Sequence, residues 1–128
     1  MAIVMASSSG LGLGSAMVLA REGVNVVING RDLERLESAV ESIREVATGE
    51  VRYFQGDIKD SRTAAGIVKF TIEEFGKLDH LVTNSGPPPC LHFEEAEDVD
   101  WYESYELLVM SVVRMIREAE PYLRESEN

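Results

Sequence analysis

The chain has 128 residues, of which 45% are hydrophobic, and its formal net charge at pH 7 is −11. This composition is typical of a single globular domain, and the negative charge argues against binding to nucleic acid or to an anionic membrane surface. With one cysteine, Cys90, and neither a long apolar run nor a basic leader, the sequence predicts a soluble cytoplasmic protein without disulfides.

Strand-like and helix-like patterns alternate along the chain. Short runs of β-branched and small apolar residues predict buried parallel strands, whereas apolar residues every three or four positions predict amphipathic helices. The predicted elements are a strand 2–6, a helix 12–23, a strand 24–29, a helix 32–49, a strand 51–55, a helix 61–76, a strand 78–84 and a helix 98–123. This order predicts an open, doubly wound α/β sheet with right-handed crossovers.

The helix ends and the last helix carry further signals. Asp32 is predicted to cap the second helix at its N-terminus, and Gly49 to end it.

Residues 90–128 contain 11 acids and 3 bases, a net charge of −8, which predicts a solvated acidic helix face rather than a cation site. The apolar positions of the last helix include Tyr105, Leu108, Val109, Val112, Val113 and Ile116.

The loop after the first strand reads Ala-Ser-Ser-Ser-Gly-Leu-Gly over residues 6–12. In open α/β sheets ligands bind beyond the carboxyl ends of the strands, where this loop is expected. Glycines allow a close backbone approach, and the following helix directs its N-terminal N–H groups to the same place, which suits a pyrophosphate. Gly10, Gly12 and Gly14 do not have the G-x-G-x-x-G spacing, so a tight turn without a ligand is the alternative.

Four segments, in order, resemble the short-chain dehydrogenase/reductase family. That family has T-G-x-x-x-G-x-G after its first strand; Gly10, Leu11 and Gly12 match the end of this motif, whereas Met5 and Ala6 replace its Thr and first Gly. The other matching segments are INGR at 28–31, GDIKD at 56–60, which is similar to D-[VI]-x-D, and LVTNSGPPP at 81–89, which is similar to N-N-A-G.

The resemblance implies a Rossmann-type sheet of strand order 3-2-1-4 in a single dinucleotide-binding domain, 1–128. It also implies hydride transfer between a nicotinamide cofactor and a carbonyl or alcohol substrate. Two of the implied contacts have a structural alternative. In it, Asp57 caps the next turn, and Asn84 forms hydrogen bonds with backbone groups at the end of a strand. The implied contacts are Ser7, Ser9, Gly10, Leu11 and Gly12 around the pyrophosphate and ribose, Asp57 and Ile58 beside the adenine, and Asn84, Ser85 and Gly86 at the nicotinamide-side ribose.

The end of the second strand indicates which dinucleotide is preferred. NAD sites place an acid there for the ribose 2′-hydroxyl, but the family position corresponds to Gly30. Arg31 follows, and its guanidinium suits a 2′-phosphate, so NADP(H) is favoured over NAD(H). The alternative makes Asp32 the ribose acid rather than a helix cap.

The family's catalytic Tyr-x-x-x-Lys pair is absent, because no tyrosine of the chain is followed by lysine four residues later. Leu108 stands where many members carry an asparagine of the proton relay. We therefore predict no catalytic residues, no metal site, and a truncated chain that holds the cofactor-binding half and is inactive alone. The alternative is a non-catalytic dinucleotide-binding or self-associating module. Homo-oligomers are expected through the final helix or the bare edge of the fourth strand.

Overall fold

The structure is a computed structural model that describes residues 1–126, so the last two residues of the predicted domain 1–128 lie outside it. Within this range four strands form one parallel sheet in the order β3-β2-β1-β4, which confirms the predicted Rossmann-type α/β fold. The elements are β1 Ala2–Val4, α1 Gly10–Arg21, β2 Val26–Gly30, α2 Leu33–Arg44, β3 Val51–Gln55, α3 Ser61–Phe75, β4 His80–Val82, α4 Asp98–Tyr105 and α5 Ser111–Glu125, with a π-helical turn at Glu106–Met110 between the last two helices.

The sheet is buried between two layers of helices. Because successive side chains of a strand point to opposite faces, Ile3 of β1 packs in the cluster that includes Ile67 and Met115, from α3 and α5. On the other face, Val4 packs in the cluster that includes Ala16 and Leu36, from α1 and α2. Burial on both faces explains why β1 and β2 read as continuous apolar runs.

The ends of α2 match the sequence prediction only in part. One carboxylate oxygen of Asp32 accepts a hydrogen bond of 3.0 Å from the Arg35 N–H, so the predicted N-cap is confirmed. The predicted end at Gly49 is wrong, because the helix stops at Arg44. Beyond that point the Thr48 N–H donates to the carbonyl oxygen of Ala20, which draws the chain out of the helix towards α1.

The strand β4 is shorter than predicted and is fixed at its start by the first residue. The N–H groups of Asp79 and His80 both donate to the Met1 carbonyl oxygen at 3.0 Å. The Met1 ammonium lies 2.6 Å from a carboxylate oxygen of Asp79, whose side chain is 6% exposed, and the Lys77 ammonium is 2.9 Å away. Hydrogen bonds from the ammonium of Met1 and from Lys77 hold the pKa of the Asp79 carboxyl well below its usual range.

The last helix buries only part of its surface. Met115 and Ala119 of α5 reach the core, together with the hydroxyl-bearing Ser111. Five of the apolar positions of the predicted last helix are exposed, as expected for a helix surface left bare: Tyr105, Leu108, Val109, Val113 and Ile116. No helix within residues 1–126 has the length and apolar character needed to cross a bilayer.

Candidate functional site

A cleft of about 510 Å³ opens at the carboxyl ends of β1, β2 and β3. Its lining comes from the loops after β1, β3 and β4, from the end of β2 and the residue after it, from the start of α2, and from α4 with its π-helical turn. Open α/β sheets bind their ligands at this edge. Five of the predicted site residues line the cleft, namely Ser9, Arg31, Asp57, Ile58 and Gly86.

The loop after β1 has an unusual backbone at Ala6. Its φ angle of 44° lies in the left-handed region that a side chain disfavours, at the position where the family motif has glycine. The Ala6 carbonyl oxygen accepts a hydrogen bond of 3.0 Å from Asn84 Nδ2. This contact matches the alternative in which Asn84 satisfies a strand end.

Gly12 allows α1 to approach this loop closely. A Cβ atom at Gly12 would lie 2.5 Å from the Ala6 carbonyl oxygen and 2.7 Å from Asn84 Nδ2, both closer than van der Waals contact. Gly14, two residues further along α1, has no atom within 4 Å of such a Cβ position. The first glycine is therefore required by packing and the second is not.

The serines of the loop divide into one buried residue and two at the cleft. Ser7 is fully buried; its Oγ donates to the Val4 carbonyl oxygen at 2.6 Å and accepts from the Asn29 N–H at 3.1 Å. The Ser7 side chain thus lies outside the cleft lining, and its predicted contact with the pyrophosphate or ribose stays a prediction. Ser8, which the sequence analysis missed, lines the cleft beside Ser9. Within residues 1–126 neither the Ser8 nor the Ser9 hydroxyl has a hydrogen-bond partner.

Asn29 connects the loops that follow β1 and β3, a role that the sequence analysis also missed. Its side chain is buried, and Nδ2 donates to the carbonyl oxygens of Phe54 and Gly56 at 3.1 Å each. Its Oδ1 accepts from the Ala6 N–H at 3.4 Å. A polar residue inside the apolar run of β2 was the available signal, because a buried amide needs hydrogen-bond partners.

The loop after β3 presents Asp57 and Ile58 to the cleft. One Asp57 carboxylate oxygen accepts from the Lys59 N–H at 2.9 Å, which is the turn-capping role considered as the alternative. Ile58 is 8% exposed, since most of its side chain packs in the core beneath the cleft. The two residues therefore shape this wall while also holding the loop in place.

The other predicted contacts lie around the cleft rather than in its lining. Gly10 and Leu11 begin α1 and are exposed, with Gly10 at φ 58°. Ser85 is half-buried between Asn84 and Gly86, and Gly86 leads into the lining residues Pro87–Pro89. The first N–H groups of α1 have no intrahelical acceptor, so they are free to bind an anion near this edge.

The cleft is locally cationic although the chain is acidic. Arg31, Arg35 and Lys59 line it, against the two acids Asp57 and Glu103. Within residues 1–126 none of the three cationic side chains forms an ion pair. Unpaired guanidinium groups suit an anionic ligand such as a phosphate. In the same part of the chain, no three His, Cys, Asp or Glu side chains gather as metal ligands would.

Gly30 ends β2 under Ser8, where a side chain would be crowded. A Cβ atom there would lie 3.1 Å from Ser8 Oγ and 3.2 Å from Leu36 Cδ2. An acidic residue at this position would require both neighbours to move. The geometry therefore disfavours a carboxylate where NAD sites have one.

Comparison with known proteins places this cleft in a family context. The family model described as short chain dehydrogenase matches residues 1–128. The chain is 32% identical over 125 residues to 11-beta-hydroxysteroid dehydrogenase A of Sesamum indicum, covering 97% of this chain and 36% of that protein. It is 32% identical over 123 residues to dehydrogenase/reductase SDR family member 4 of Caenorhabditis elegans, covering 95% and 47%.

Solved structures give the same result. L-sorbose reductase from Gluconobacter frateurii, solved with NADPH and L-sorbose, matches with a TM-score of 0.90 and 34% identity, over 97% of this chain and 47% of that one. The NADH-dependent reductase A1-R′, solved with NAD, matches with a TM-score of 0.86 and 27% identity, over 97% and 52%. The chain thus spans about half the length of these structures. It belongs to the short-chain dehydrogenase family.

Proposed function

We propose that the cleft binds NADP(H) and that the chain is the cofactor-binding half of a cytoplasmic short-chain oxidoreductase acting on a carbonyl or alcohol. The observation that carries this proposal is a cationic cleft, lined by the unpaired Arg31 and Arg35, at the ligand-binding edge of the sheet. The similar structures were solved with NADPH in one case and NAD in another, so the preference is argued from this chain's own residues.

The residues present fit a dinucleotide. The absence of a side chain at Gly12 brings the N-terminus of α1 against the loop after β1, and the free hydroxyl of Ser9 lies beside it. The pyrophosphate is proposed to bind there, with the adenine at Asp57 and Ile58. The nicotinamide-side ribose is assigned to 84–86. Bound NADP(H) would supply or accept the hydride.

The preference for NADP(H) rests on the end of β2. Asp32 uses one carboxylate oxygen to cap α2, which supports its role as a helix cap over the alternative role as the ribose acid. An acid at Gly30 would be crowded by Ser8 and Leu36, whereas Arg31 and Arg35 leave two guanidinium groups without partners in the cleft that the free Ser8 hydroxyl also lines. A 2′-phosphate would complete these hydrogen bonds, and a 2′-hydroxyl would not.

Titration with NADPH and NADH, followed by nicotinamide fluorescence, tests the proposal. We expect NADPH to bind at least about tenfold more tightly than NADH, which corresponds to one charge-assisted contact of about 1.4 kcal/mol. Arg31→Ala and Arg35→Ala should each reduce this ratio, while Arg21→Ala, at the exposed end of α1, should not. Absence of binding by either dinucleotide at millimolar concentration would refute the proposal.

The second candidate is a module that binds the dinucleotide but does not react. It is favoured by Ala6, whose left-handed backbone is strained, and by Leu108, which carries no group able to transfer a proton. Both candidates predict that this chain alone binds NADPH without oxidising it in the presence of aldehydes or ketones. Turnover would refute both. Restoration of turnover by a longer form of the chain carrying a Tyr-x-x-x-Lys pair would favour the enzyme.

Self-association is part of the proposal. The outer edge of β4 pairs with no strand of residues 1–126, and Leu108, Val113 and Ile116 expose an apolar surface on the last helices. An open edge and an apolar helix surface both favour pairing with a second copy. Ile116→Glu should raise the fraction of monomer in sedimentation, whereas Arg117→Glu is the charge control. A monomeric wild-type chain at high concentration would contradict this proposal.

A further inference from the structure

Arg114 joins two segments that contribute opposite walls of the cleft. Its Nη1 donates to the Lys59 carbonyl oxygen at 3.0 Å, in the loop after β3, and lies 2.8 Å from a carboxylate oxygen of Glu106. The Arg114 side chain is 21% exposed, so solvent screens these contacts less than it screens a surface ion pair. Lys59 lines one wall, and Glu106 precedes Leu107 of the other.

The π-helical turn brings Glu106 and Arg114 together. In an unbroken α-helix, residues eight apart are offset by about 80° around the axis, which places them on different faces. In this turn the Ser111 N–H donates to the Glu106 carbonyl oxygen, five residues back, so that an extra residue is accommodated and the offset is reduced. The Ser111 Oγ donates to the Leu107 carbonyl oxygen at 2.6 Å, which satisfies the acceptor that an α-helical Ser111 N–H would use.

We infer that Arg114 is a positioning residue that sets the separation of the adenine wall, at 57–59, from the wall formed by Glu103 and Leu107. This inference rests on the proposed function, because it concerns a ligand that spans both walls. Arg114 does not line the cleft and touches no proposed cofactor contact directly, so its effect on binding is indirect. A ligand held by both walls depends on their separation, whereas a ligand held by one wall does not.

Two ligands distinguish positioning from general support of the fold. NADPH, proposed to extend from 57–58 to 84–86, is long enough to reach the wall of Glu103 and Leu107, which lines the cleft together with Gly86. By contrast, 2′,5′-ADP carries only the adenosine and phosphate part and reaches the wall at 57–59. For Arg114→Met, which keeps the length of the side chain but none of its hydrogen bonds, we expect the Kd of NADPH to rise about tenfold. The Kd of 2′,5′-ADP should change by less than about threefold, since the local structure of its wall is kept.

The matched control is Arg117→Met, which removes an exposed arginine of the same helix that has no ion pair within residues 1–126. It should leave both dissociation constants unchanged. Urea unfolding of each variant gives the folded fraction, so that a loss of stability is separated from a loss of affinity. Glu106→Gln, which keeps an acceptor but removes the charge, provides a milder second variant and should weaken NADPH about threefold.

Three results would overturn the inference. One is an unchanged NADPH affinity in folded Arg114→Met or, if that variant does not fold, in Glu106→Gln. Another is an equal weakening of NADPH and 2′,5′-ADP, because this would mean that the adenosine wall itself is damaged. If the wild-type chain binds neither ligand, the proposed function fails and the inference fails with it. Selective weakening of NADPH supports it.

Discussion

Asn84 and Ala6, which stand 78 positions apart, are joined by a hydrogen bond of 3.0 Å from Asn84 Nδ2 to the Ala6 carbonyl oxygen. The bond fixes the segment after β4 to the segment after β1, and Gly12 of α1 packs against both partners. Three segments of the ligand-binding edge therefore depend on one side-chain amide. A change at any of the three residues should affect the shape of this edge.

Asn84→Asp removes the donor while keeping the size of the side chain. A carboxylate oxygen would face the Ala6 carbonyl oxygen, so we expect a loss of about 1–3 kcal/mol in the free energy of unfolding. NADPH binding should weaken as well. Thr83→Ser, at the exposed neighbouring position, is the control and should be neutral. Urea denaturation measures the change, and a stability equal to that of the wild type would mean that the bond is not maintained in solution.

Ala6→Gly should stabilise the chain. The left-handed φ of 44° costs a residue with a Cβ about 1–2 kcal/mol, whereas glycine adds about 0.4–1 kcal/mol of entropy to the unfolded state. The difference favours glycine by up to about 1.5 kcal/mol. Ala65→Gly, at an exposed position within α3, should cost about 1 kcal/mol. Opposite signs in thermal unfolding are the expected result; a loss in both variants would contradict the strain at Ala6.

Gly12→Ala and Gly14→Ala form a matched pair on one helix. The new Cβ at Gly12 would lie 2.5 Å from the Ala6 carbonyl oxygen, so α1 must move, at a cost of about 1–3 kcal/mol. At Gly14 the Cβ meets no atom within 4 Å, and the better helix propensity of alanine should stabilise by about 1 kcal/mol. Both stability and NADPH affinity should separate the two variants. Similar behaviour of the pair would show that α1 does not pack as described.

Asp79 should make stability depend on pH in the acid range. Hydrogen bonds from the Met1 ammonium and Lys77 lower the pKa of its carboxyl in the folded chain. The stabilisation is complete above the unfolded pKa, about 3.9, and is lost as the pH falls towards the folded value. Urea unfolding at pH 7, 5 and 3 should therefore show a smaller gap between wild type and Asp79→Asn at pH 3. A gap that is constant with pH would exclude this linkage.

The order of strands and helices could be predicted from the sequence, because apolar runs and amphipathic stripes are local patterns of residues. It was also sufficient for the Asp32 cap, whose hydrogen bond reaches only three residues ahead. It could not distinguish Ser7 from Ser8, since neighbouring loop residues point in directions set by backbone angles that the residue types do not determine.

Contacts between residues that are far apart in the chain could not be predicted from the sequence either. Asn29 reaches Gly56, and Arg114 reaches Lys59, only because the fold brings these segments together. The π-helical turn also escaped prediction, because its apolar residues fit a regular helix and the extra residue is stabilised by the Ser111 hydroxyl.

Because Ser8 crowds Gly30, a change of cofactor preference through position 30 depends on the residue at position 8. An acid at position 30 would be penalised while Ser8 retains its Oγ 3.1 Å from the incoming Cβ. A prior change of Ser8 to glycine would remove this obstacle and leave only Leu36 to adjust. The two substitutions are therefore expected to be non-additive, and the order in which they arise decides whether the intermediate is viable.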